Sequence, residues 1–181
     1  MTLAVAPPPG TPWLWRLWRV VRFERGVFAE IAVDGHATWQ GLGILIAASL
    51  IGGWRFLWPG DGEWHVADWL LEEGGVALAS SAAVALLLWT FTRFAGGRGT
   101  VVGLWRGIAF ALAPIVLGVF GFAGSLIGGA LAVPSIVRAV AETQRVRIAV
   151  AITAVAVPVL LYIGFFALPS SSSAGIELVP S

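Results

Sequence analysis

Two acidic residues near the N-terminus have the spacing of neighbours on a helix. Glu30 and Asp34 are four residues apart, so on a helix their carboxylates lie on the same face. Such a pair could hold a cation or a basic partner. The alternative, which we favour, is a solvated carboxylate at Glu30 and a cap for the following helix at Asp34.

The other residue types that serve catalysis or metal binding are scattered. The chain has no cysteine, which excludes disulfides and thiolate metal sites. The two histidines, His36 and His65, flank the first apolar segment, so we expect them on opposite sides of a membrane. We find no Ser–His–Asp set, zinc motif or pair of intramembrane aspartates. The sequence therefore predicts no catalytic residue, no metal, no cofactor and no enzymatic activity.

Gly96–Thr100, with the sequence GGRGT, resembles a phosphate-binding loop only superficially. It lacks the closing Gly-Lys-Ser/Thr and the preceding strand of such loops. We interpret this segment as a flexible turn between two helices.

The composition indicates a membrane protein. Of 181 residues, 58% are hydrophobic and only 12% are charged, whereas soluble domains carry roughly 25% charged residues. Four segments contain no Asp, Glu, Lys or Arg: Ala37–Trp54, Gly74–Thr92, Gly107–Val137 and Ile148–Leu168. Because a helix needs about 20 apolar residues to cross the hydrocarbon core, these segments predict transmembrane helices.

The number of spans depends on Gly107–Val137, whose 31 residues are many for one span and few for two. A single long helix would give four spans, and a hairpin turning at Gly121–Gly124 would give five. The hairpin puts ten of the eleven arginines on one side, with only Arg55 near the other. Cytoplasmic loops are enriched in Lys and Arg. We therefore predict five spans, a cytoplasmic N-terminus and an external C-terminus.

The predicted fold is an all-α polytopic transmembrane bundle of five spans, preceded by an amphipathic interfacial helix. Residues 1–11 and 169–181 are predicted to be disordered, and 12–35 form the amphipathic cytoplasmic or interfacial region. The membrane domain covers residues 36–168, with spans at about 37–57, 73–94, 101–120, 124–141 and 146–168. Prolines in the last three spans should kink them: Pro114, Pro134 and Pro158.

The N-terminal region predicts an amphipathic helix over Trp13–Arg25, capped by Thr11 and with Pro12 at its first position. One face carries apolar side chains: Leu14, Leu17, Trp18, Val20 and Val21. The opposite face carries Arg16, Arg19 and Arg22. A tryptophan-rich apolar face opposed by arginines suits the bilayer interface. The alternative is a helix packed against the bundle.

The predicted partners are the lipid bilayer and, at the cytoplasmic face, anionic headgroups. A protein partner or a second copy of the chain is also compatible with the sequence, and nucleic acid is not. The candidate contact residues are Arg16, Arg19, Arg22, Glu30, Asp34, Arg98, Arg106 and Arg138. Arg106 and Arg138 fall about one turn inside the apolar boundary, from where their side chains could reach the headgroups.

Gly124 and Gly128 form a small-xxx-small pair, which allows close helix packing in lipid. We favour packing within one chain over packing between copies. Together with Pro114 and Pro134, these are the predicted helix-packing positions.

Two stretches of the chain together form a recognisable pattern. The first stretch is Phe28-Ala29-Glu30-Ile31, Asp34 and Ala37-Thr38-Trp39-Gln40. The second is Gly96–Thr100, Ile108-Ala109-Phe110-Ala111 and Ala113-Pro114. In their order and spacing these stretches resemble the short bacterial members of the Yip family, named for Ypt/Rab-interacting membrane proteins. The likeness extends over roughly residues 22–168. It implies a five-span protein of the bacterial cytoplasmic membrane, without known catalysis, whose eukaryotic relatives act with Rab GTPases in vesicle trafficking.

The leading functional hypothesis is therefore a non-enzymatic membrane scaffold or adaptor with an arginine-rich cytoplasmic surface. The alternative is a small transporter or channel subunit, which three proline-containing spans with many glycines would suit. A cavity lined by Ser80, Ser81, Thr90, Thr92 or Thr153 would favour the alternative. An intramembrane enzyme ranks last.

Overall fold

The computed structural model describes residues 12–52 and 66–166, and every long regular element within them is helical. The helices are α1 (Trp13–Val21), α2 (Val27–Val33), α3 (Ala37–Gly52), α4 (Val66–Phe94), α5 (Val101–Ala111), a 3-10 helix (Ala113–Phe120), α6 (Gly121–Gln144) and α7 (Ile148–Phe166). The all-α prediction is confirmed. Residues 1–11, Arg55, His65 and residues 169–181, on which other predictions fall, lie outside the described residues.

Two helical stretches are long and apolar enough to cross a membrane. They are Gly74–Phe94, with 21 residues and a mean hydropathy of 1.7, and the run Val101–Gln144, with 44 residues and 2.2. Shorter apolar helices cover Ala37–Ile51 and Ile148–Leu160. Length and composition thus weakly support a membrane protein. The five-span count is a separate proposal.

The N-terminal region forms two helices instead of the one predicted over Trp13–Arg25. α1 ends at Val21 because Phe23 takes a left-handed conformation, with φ 54°, and the N–H of Glu24 turns back to the carbonyl of Arg19. Gly26, with φ 83°, then redirects the chain into α2. Pro12 precedes α1 as its N-cap instead of occupying the first helical position.

The predicted span 101–120 is not a continuous α-helix. α5 ends at Ala111, and a 3-10 helix with Pro114 near its start follows. Proline has no N–H to donate, and its ring clashes with the carbonyl four residues earlier, so the α-helical pattern cannot continue through it. The N–H of Ile115 instead bonds the carbonyl of Leu112 at 2.9 Å.

The chain reverses direction at Gly121, within the predicted turn, so the 44-residue run is a hairpin. Gly121 has φ 77° and ψ −153°, a backbone conformation that only glycine adopts readily. Residues before Gly121 face residues after it, and the facing pairs are farther apart in sequence the farther they lie from this turn. A Cβ at Gly128 would lie 2.5 Å from the carbonyl oxygen of Pro114, and one at Gly107 would lie 3.4 Å from the Cβ of Ala139.

The hairpin of α5 and α6 is the centre of the packing. One buried cluster joins α1, α2 and α3 to it through Val20, Phe28, Ile31, Ile44 and Phe110. A second joins α4 and α7 to it through Leu88, Leu104, Ile108, Val140 and Ala151. The remaining helices are thus arranged around this pair.

The outer surface of the bundle is apolar, which reverses the pattern of a soluble protein. Large hydrophobic side chains are exposed on α4, α6 and α7, among them Leu86, Phe91, Leu126, Ile152 and Leu160. Several polar side chains are instead buried: Ser81, Thr92, Ser135, Thr143 and Gln144. A surface of this kind fits a hydrocarbon environment, where polar groups must find partners inside the protein.

Candidate functional site: the arginine-rich end of the bundle

Three turns meet at one end of the bundle. The N–H of Gly26, in the α1–α2 turn, donates to the carboxylate of Glu142 at the end of α6. The N–H of Arg98, in the α4–α5 turn, donates to the carbonyl of Gln144 at 2.9 Å, next to the α6–α7 turn. These contacts bring together the parts of the chain that carry most of the arginines.

We call this region the arginine-rich end and define it by its exposed arginines: Arg22, Arg25, Arg93, Arg98, Arg145 and Arg147. They come from three turns that are distant in sequence. The tip of the α5–α6 hairpin, with Phe120 and Phe122 exposed, lies at the other end of that hairpin. The structure thus separates an arginine-rich end from an apolar one.

Arg16 does not belong to this exposed set, which corrects its prediction as a lipid contact. Only 3% of its side chain is exposed, because the side chain extends from α1 to the α2–α3 junction and is enclosed there. Its guanidinium donates to the carboxylate of Asp34 and, at 3.0 Å, to the Gln40 side chain. Its Nε also lies 3.4 Å from a carboxylate oxygen of Glu30.

Arg19 is held by the same acidic residues. Its Nη1 donates to Glu30 at 2.6 Å, and its Nε pairs with Glu24 at 3.1 Å. Burial acts to lower the pKa of Arg19, but the hydrogen bonds and charges of Glu30 and Glu24 outweigh it and raise that pKa above its ordinary value. Both arginines of α1 are therefore occupied within the chain, and we call this group (Arg16, Arg19, Glu30, Asp34 and Gln40) the ion-pair cluster.

The two acidic residues thus hold a basic partner from their own chain. This corrects the favoured reading of Glu30 as a solvated carboxylate, since its side chain is only 10% exposed. The capping role of Asp34 is present as well, because its second carboxylate oxygen accepts the N–H of His36 at 2.9 Å, just before α3.

The guanidinium groups of Arg106 and Arg138 contact other residues of the chain, whereas the sequence predicted that they reach the headgroups. Arg106 donates to the hydroxyl of Thr38 at 2.8 Å and to the carbonyl of Ala32 at 3.0 Å, which ties α5 to the ends of α2 and α3. Arg138 lies 6.0 Å from the ring centroid of Phe23, and its Nη1 is buried without a hydrogen-bond acceptor among the described residues. The aromatic face provides that guanidinium with a cation–π contact.

Gly96–Thr100 forms the predicted turn between helices, and its backbone is tightly packed. Gly96, with φ 87°, ends α4, and the N–H of Gly97 bonds the carbonyl of Thr92 at 2.8 Å. A Cβ at Gly99 would meet the side-chain nitrogen of Gln144 at 2.6 Å. Thr100 caps α5 by accepting the N–H of Gly103 at 3.0 Å. The arginine in this turn, Arg98, keeps its side chain in the exposed set.

No protein-family model, curated protein or solved structure significantly matches the chain.

Glu142 is a structural residue of the arginine-rich end that no sequence pattern predicted. Its carboxylate accepts the N–H groups of Gly26 at 3.1 Å and Phe28 at 3.2 Å, so it caps the start of α2 from a distant helix. The sequence distinguishes Glu142 only as the one acidic residue between the last two predicted spans. Its partners, the N–H groups of Gly26 and Phe28, are 116 and 114 residues away, so local spacing could not predict them.

Gly124 and Gly128 pack within the chain, as favoured. Both lie against backbone carbonyls of the 3-10 helix, Gly124 against Leu117 and Gly128 against Pro114. Pro114 is buried beneath this contact, whereas Pro134 is on the exposed side of α6. The small face is therefore occupied by the hairpin partner.

Two apolar cavities lie between the helices. One, of about 400 Å³, is bordered by α3, α4, α5 and α6 and includes Ser49, Ser80 and Ser81. The other, of about 420 Å³, lies between α4, α6 and α7 and is lined by apolar side chains and Pro158. The serine hydroxyls all donate to carbonyls of their own helices, and Ser81 also accepts the indole N–H of Trp105.

The described residues contain no group of three His, Asp or Glu side chains placed to hold a metal ion. His36 is exposed at the α2–α3 junction, away from the cavities. The acidic side chains described above are engaged in ion pairs or helix caps. The geometry of the described part of the chain thus favours a structural role for them.

Proposed function

We propose that this chain is a five-span integral membrane protein that acts as a non-enzymatic scaffold or adaptor, with its arginine-rich end in the cytoplasm. The observation that carries the proposal is the meeting of six exposed arginines from three separate turns at one end of a bundle with apolar flanks. The positive-inside rule assigns such an end to the cytoplasm. The hairpin supports two crossings within the 44-residue run.

The Yip resemblance is part of this proposal. The residues that carry it fall in contacts that hold the arginine-rich end together. Phe28 lies in the core beneath α1, Glu30 and Asp34 bind Arg16, and Thr38 binds Arg106. The Gly96–Thr100 turn docks on the end of α6. A shared architecture would explain why these positions carry the likeness.

The scaffold is preferred over a transporter because of the lining of the cavities. Ser80 and Ser81 do line one of them, but their hydroxyls are bonded to the backbone, and the surrounding side chains are apolar. Thr90, Thr92 and Thr153 bond the carbonyls of their own helices. An ion or polar solute would find few free ligands among these groups.

Topology is tested by single-cysteine labelling of the chain, which contains no native cysteine. Cysteines at Gly35, Arg98, Ala123, Arg145 and Ser173 are probed in intact cells with a membrane-impermeant maleimide. We expect Ala123 and Ser173 to be labelled from outside, and the other three only after permeabilisation. External labelling of Arg98 or Arg145, or cytoplasmic protection of Ser173, would overturn the five-span proposal.

The scaffold role is tested by the partners that copurify with the chain. We expect purification in mild detergent to retain anionic lipid or an acidic protein, and the quadruple variant R93Q/R98Q/R145Q/R147Q to lose it. A quadruple alanine variant of exposed apolar positions on α4 (Val76, Leu78, Leu86 and Leu87) is the matched control. Equal retention by both variants would contradict a role for the arginine-rich end.

A further inference from the structure

The helix α1 is turned the opposite way from an ordinary amphipathic helix on a protein. Arg16 and Val20 are buried against α2 and the hairpin, and Leu17 is partly buried beside them. The outward face carries Trp13, Leu14, Trp15, Trp18 and Val21, with Leu14 61% and Trp18 53% exposed. Removing these side chains from water is favourable, so this face requires a covering.

We propose that the bilayer interface covers this face, so that α1 lies in the plane of the membrane and inserts its tryptophans while its arginines point into the protein. This inference rests on the proposed membrane function. It adds to the arginine-rich end a second surface that contacts lipid, the outward face of α1. The contact is apolar, and it does not depend on anionic headgroups.

The chemistry of the exposed face fits the interface better than it fits water or another protein core. Three indole rings lie within six residues, and indoles concentrate at headgroup depth because they pair an apolar body with an N–H donor. At the edge of this face, Arg22 lies 5.8 Å from the ring centroid of Trp18 and is itself exposed. At the membrane interface, an apolar face can contact acyl chains while a cation at its border contacts the lipid phosphates.

The position of α1 in the fold also fits. α1 contacts α2, α5 and α6 at the arginine-rich end, where Phe23 covers Arg138 and Glu142 caps α2. This is the end at which the apolar flanks of the bundle stop and the exposed arginines begin. A helix lying there is at the depth of the interface if the flanks are in the hydrocarbon.

The ion-pair cluster determines which face of α1 is outward. If Arg16 and Arg19 were free, an anionic membrane would attract them and the helix would turn its charged side toward lipid. Glu30 and Asp34 neutralise these two arginines and hold them against α2 and α3. The cluster therefore presents the tryptophans to the membrane and makes the contact insensitive to lipid charge.

The test uses nitroxide labels on single cysteines of the full chain in nanodiscs. Labels at Leu14 and Val21 probe the outward face of α1, Leu86 on α4 reports the hydrocarbon, and Gly35 reports water. Collision rates with lipid-soluble oxygen and with a water-soluble nickel chelate are compared in phosphatidylcholine, with and without phosphatidylglycerol. We expect an oxygen-to-nickel ratio at Leu14 and Val21 several-fold above that at Gly35, and unchanged by phosphatidylglycerol.

The other possible outcomes distinguish the α1 contact from the membrane proposal. A water-like ratio at Leu14 and Val21 with a lipid-like ratio at Leu86 would reject the α1 inference and leave the membrane proposal standing. Water-like ratios at Leu86 as well would reject the membrane proposal itself. Protection of Leu14 and Val21 from both reagents would mean that a second copy or another protein covers α1. A lipid-like ratio only with phosphatidylglycerol would reject an apolar contact.

The role of the ion-pair cluster is tested by E30Q/D34N, which keeps the size of both side chains and removes their charges. In this variant we expect the ratio at Leu14 and Val21 to depend on phosphatidylglycerol, because Arg16 and Arg19 are no longer neutralised. An unchanged ratio at Leu86 shows that the bundle is intact. The swap R16D/D34R, which re-forms an ion pair between positions 16 and 34, should be less sensitive to lipid charge than D34R alone. No change in E30Q/D34N would overturn the role assigned to the cluster.

Discussion

The carboxylate of Glu142 accepts the backbone N–H of Phe28 at 3.2 Å, across 114 residues of sequence. The same carboxylate oxygen accepts the N–H of Gly26 at 3.1 Å. The first N–H groups of a helix have no partner within it, and here a distant helix supplies one. The end of α6 thereby fixes the start of α2, and with it the two acidic residues that hold α1.

Replacing Glu142 with alanine should loosen α2 first. The first N–H groups of α2 lose their acceptor, which we expect to lower the free energy of unfolding by about 1 kcal/mol, the usual cost of losing a cap. Hydrogen exchange in detergent micelles should show faster exchange of the Phe28 amide, with little change in α4 or α7.

The control for this prediction is Glu24→Ala. Glu24 is also acidic and pairs with Arg19, but its side chain is 51% exposed, and exposed ion pairs contribute roughly 0–1 kcal/mol. We expect no change in exchange at Phe28 in this variant. If both variants accelerated exchange at Phe28 equally, the cap assigned to Glu142 would be wrong.

Gly128 should not tolerate a side chain. A Cβ there would lie 2.5 Å from the carbonyl oxygen of Pro114, and backbone cannot yield as a flexible side chain can. We expect Gly128→Ala to destabilise the hairpin by about 1–3 kcal/mol, the range for overpacking, and Gly124→Ala to act likewise because it faces the Leu117 carbonyl. Unfolding titrations in mixed micelles would measure the loss.

Gly129 is the matched control on the same helix. A Cβ at Gly129 meets nothing within 4 Å, and alanine has a higher helix propensity than glycine by about 1 kcal/mol. Gly129→Ala should therefore be neutral or slightly stabilising. Equal losses at all three glycines would indicate a general dependence on backbone flexibility instead of the close contact described above.

The hairpin shows which features of this fold the sequence determines. Hydropathy left one long helix and a hairpin open, and the arginine distribution selected the hairpin because it is a property of whole segments; the observed reversal at Gly121 falls within the predicted turn, Gly121–Gly124. The break at Leu112 was not predicted as a change of helix type, although Pro114 provided the signal for a kink. Whether a proline bends a helix or converts the next turn to a 3-10 helix depends on the packing of α6, which no local pattern specifies.

The orientation of α1 shows what could not be predicted. The periodicity correctly placed Arg16 and Arg19 opposite Leu14, Trp18 and Val21, but it put Val20 on the wrong face and could not determine which side faces the protein. That depends on where Glu30 and Asp34 lie, and their position requires Gly26 and the distant Glu142. Charge spacing identified the acidic pair, and only the fold showed that its basic partners are Arg16 and Arg19.

Arg106 should be difficult to replace because its guanidinium makes two hydrogen bonds, to the Thr38 hydroxyl and the Ala32 carbonyl. Hydrogen bonds that involve a charged group contribute about 1.5–3 kcal/mol, so we expect Arg106→Met to destabilise the chain by about 2 kcal/mol. Arg106→Lys should recover only part of this, since an ammonium cannot reproduce the planar fork. Arg98→Met, at an exposed position, should change stability by no more than about 0.5 kcal/mol.

A double-mutant cycle would isolate the contact with Thr38. If Arg106 and Thr38 interact as described, the combined effect of Arg106→Met and Thr38→Val should be smaller than the sum of the single effects. Simple additivity of the two substitutions would contradict the hydrogen bond between them.

The attachment of α1 should weaken only in acid. Burial acts to raise the pKa of Asp34, but the hydrogen bond and charge of Arg16, together with the N–H of His36, bring it below its ordinary value of 3.8. Because the pKa is lower in the folded state than in the unfolded state, the ionised carboxylate stabilises the fold at every pH well above 3.8. That stabilisation is lost as the pH falls through the folded value.

Two nitroxide labels, at Trp15 on α1 and Gly35 after α2, would follow this detachment by their distance distribution. We expect a single distance from pH 8 down to about pH 4, and a broader, longer one only as the pH falls below the ordinary value of 3.8. Asp34→Asn should show some broadening already at pH 7 and a weaker dependence on acid, since it cannot ionise. Detachment of α1 near pH 6 in the unmodified chain would require a titrating group other than Asp34, and would contradict the assignment of Asp34 as the acid-sensitive partner of Arg16.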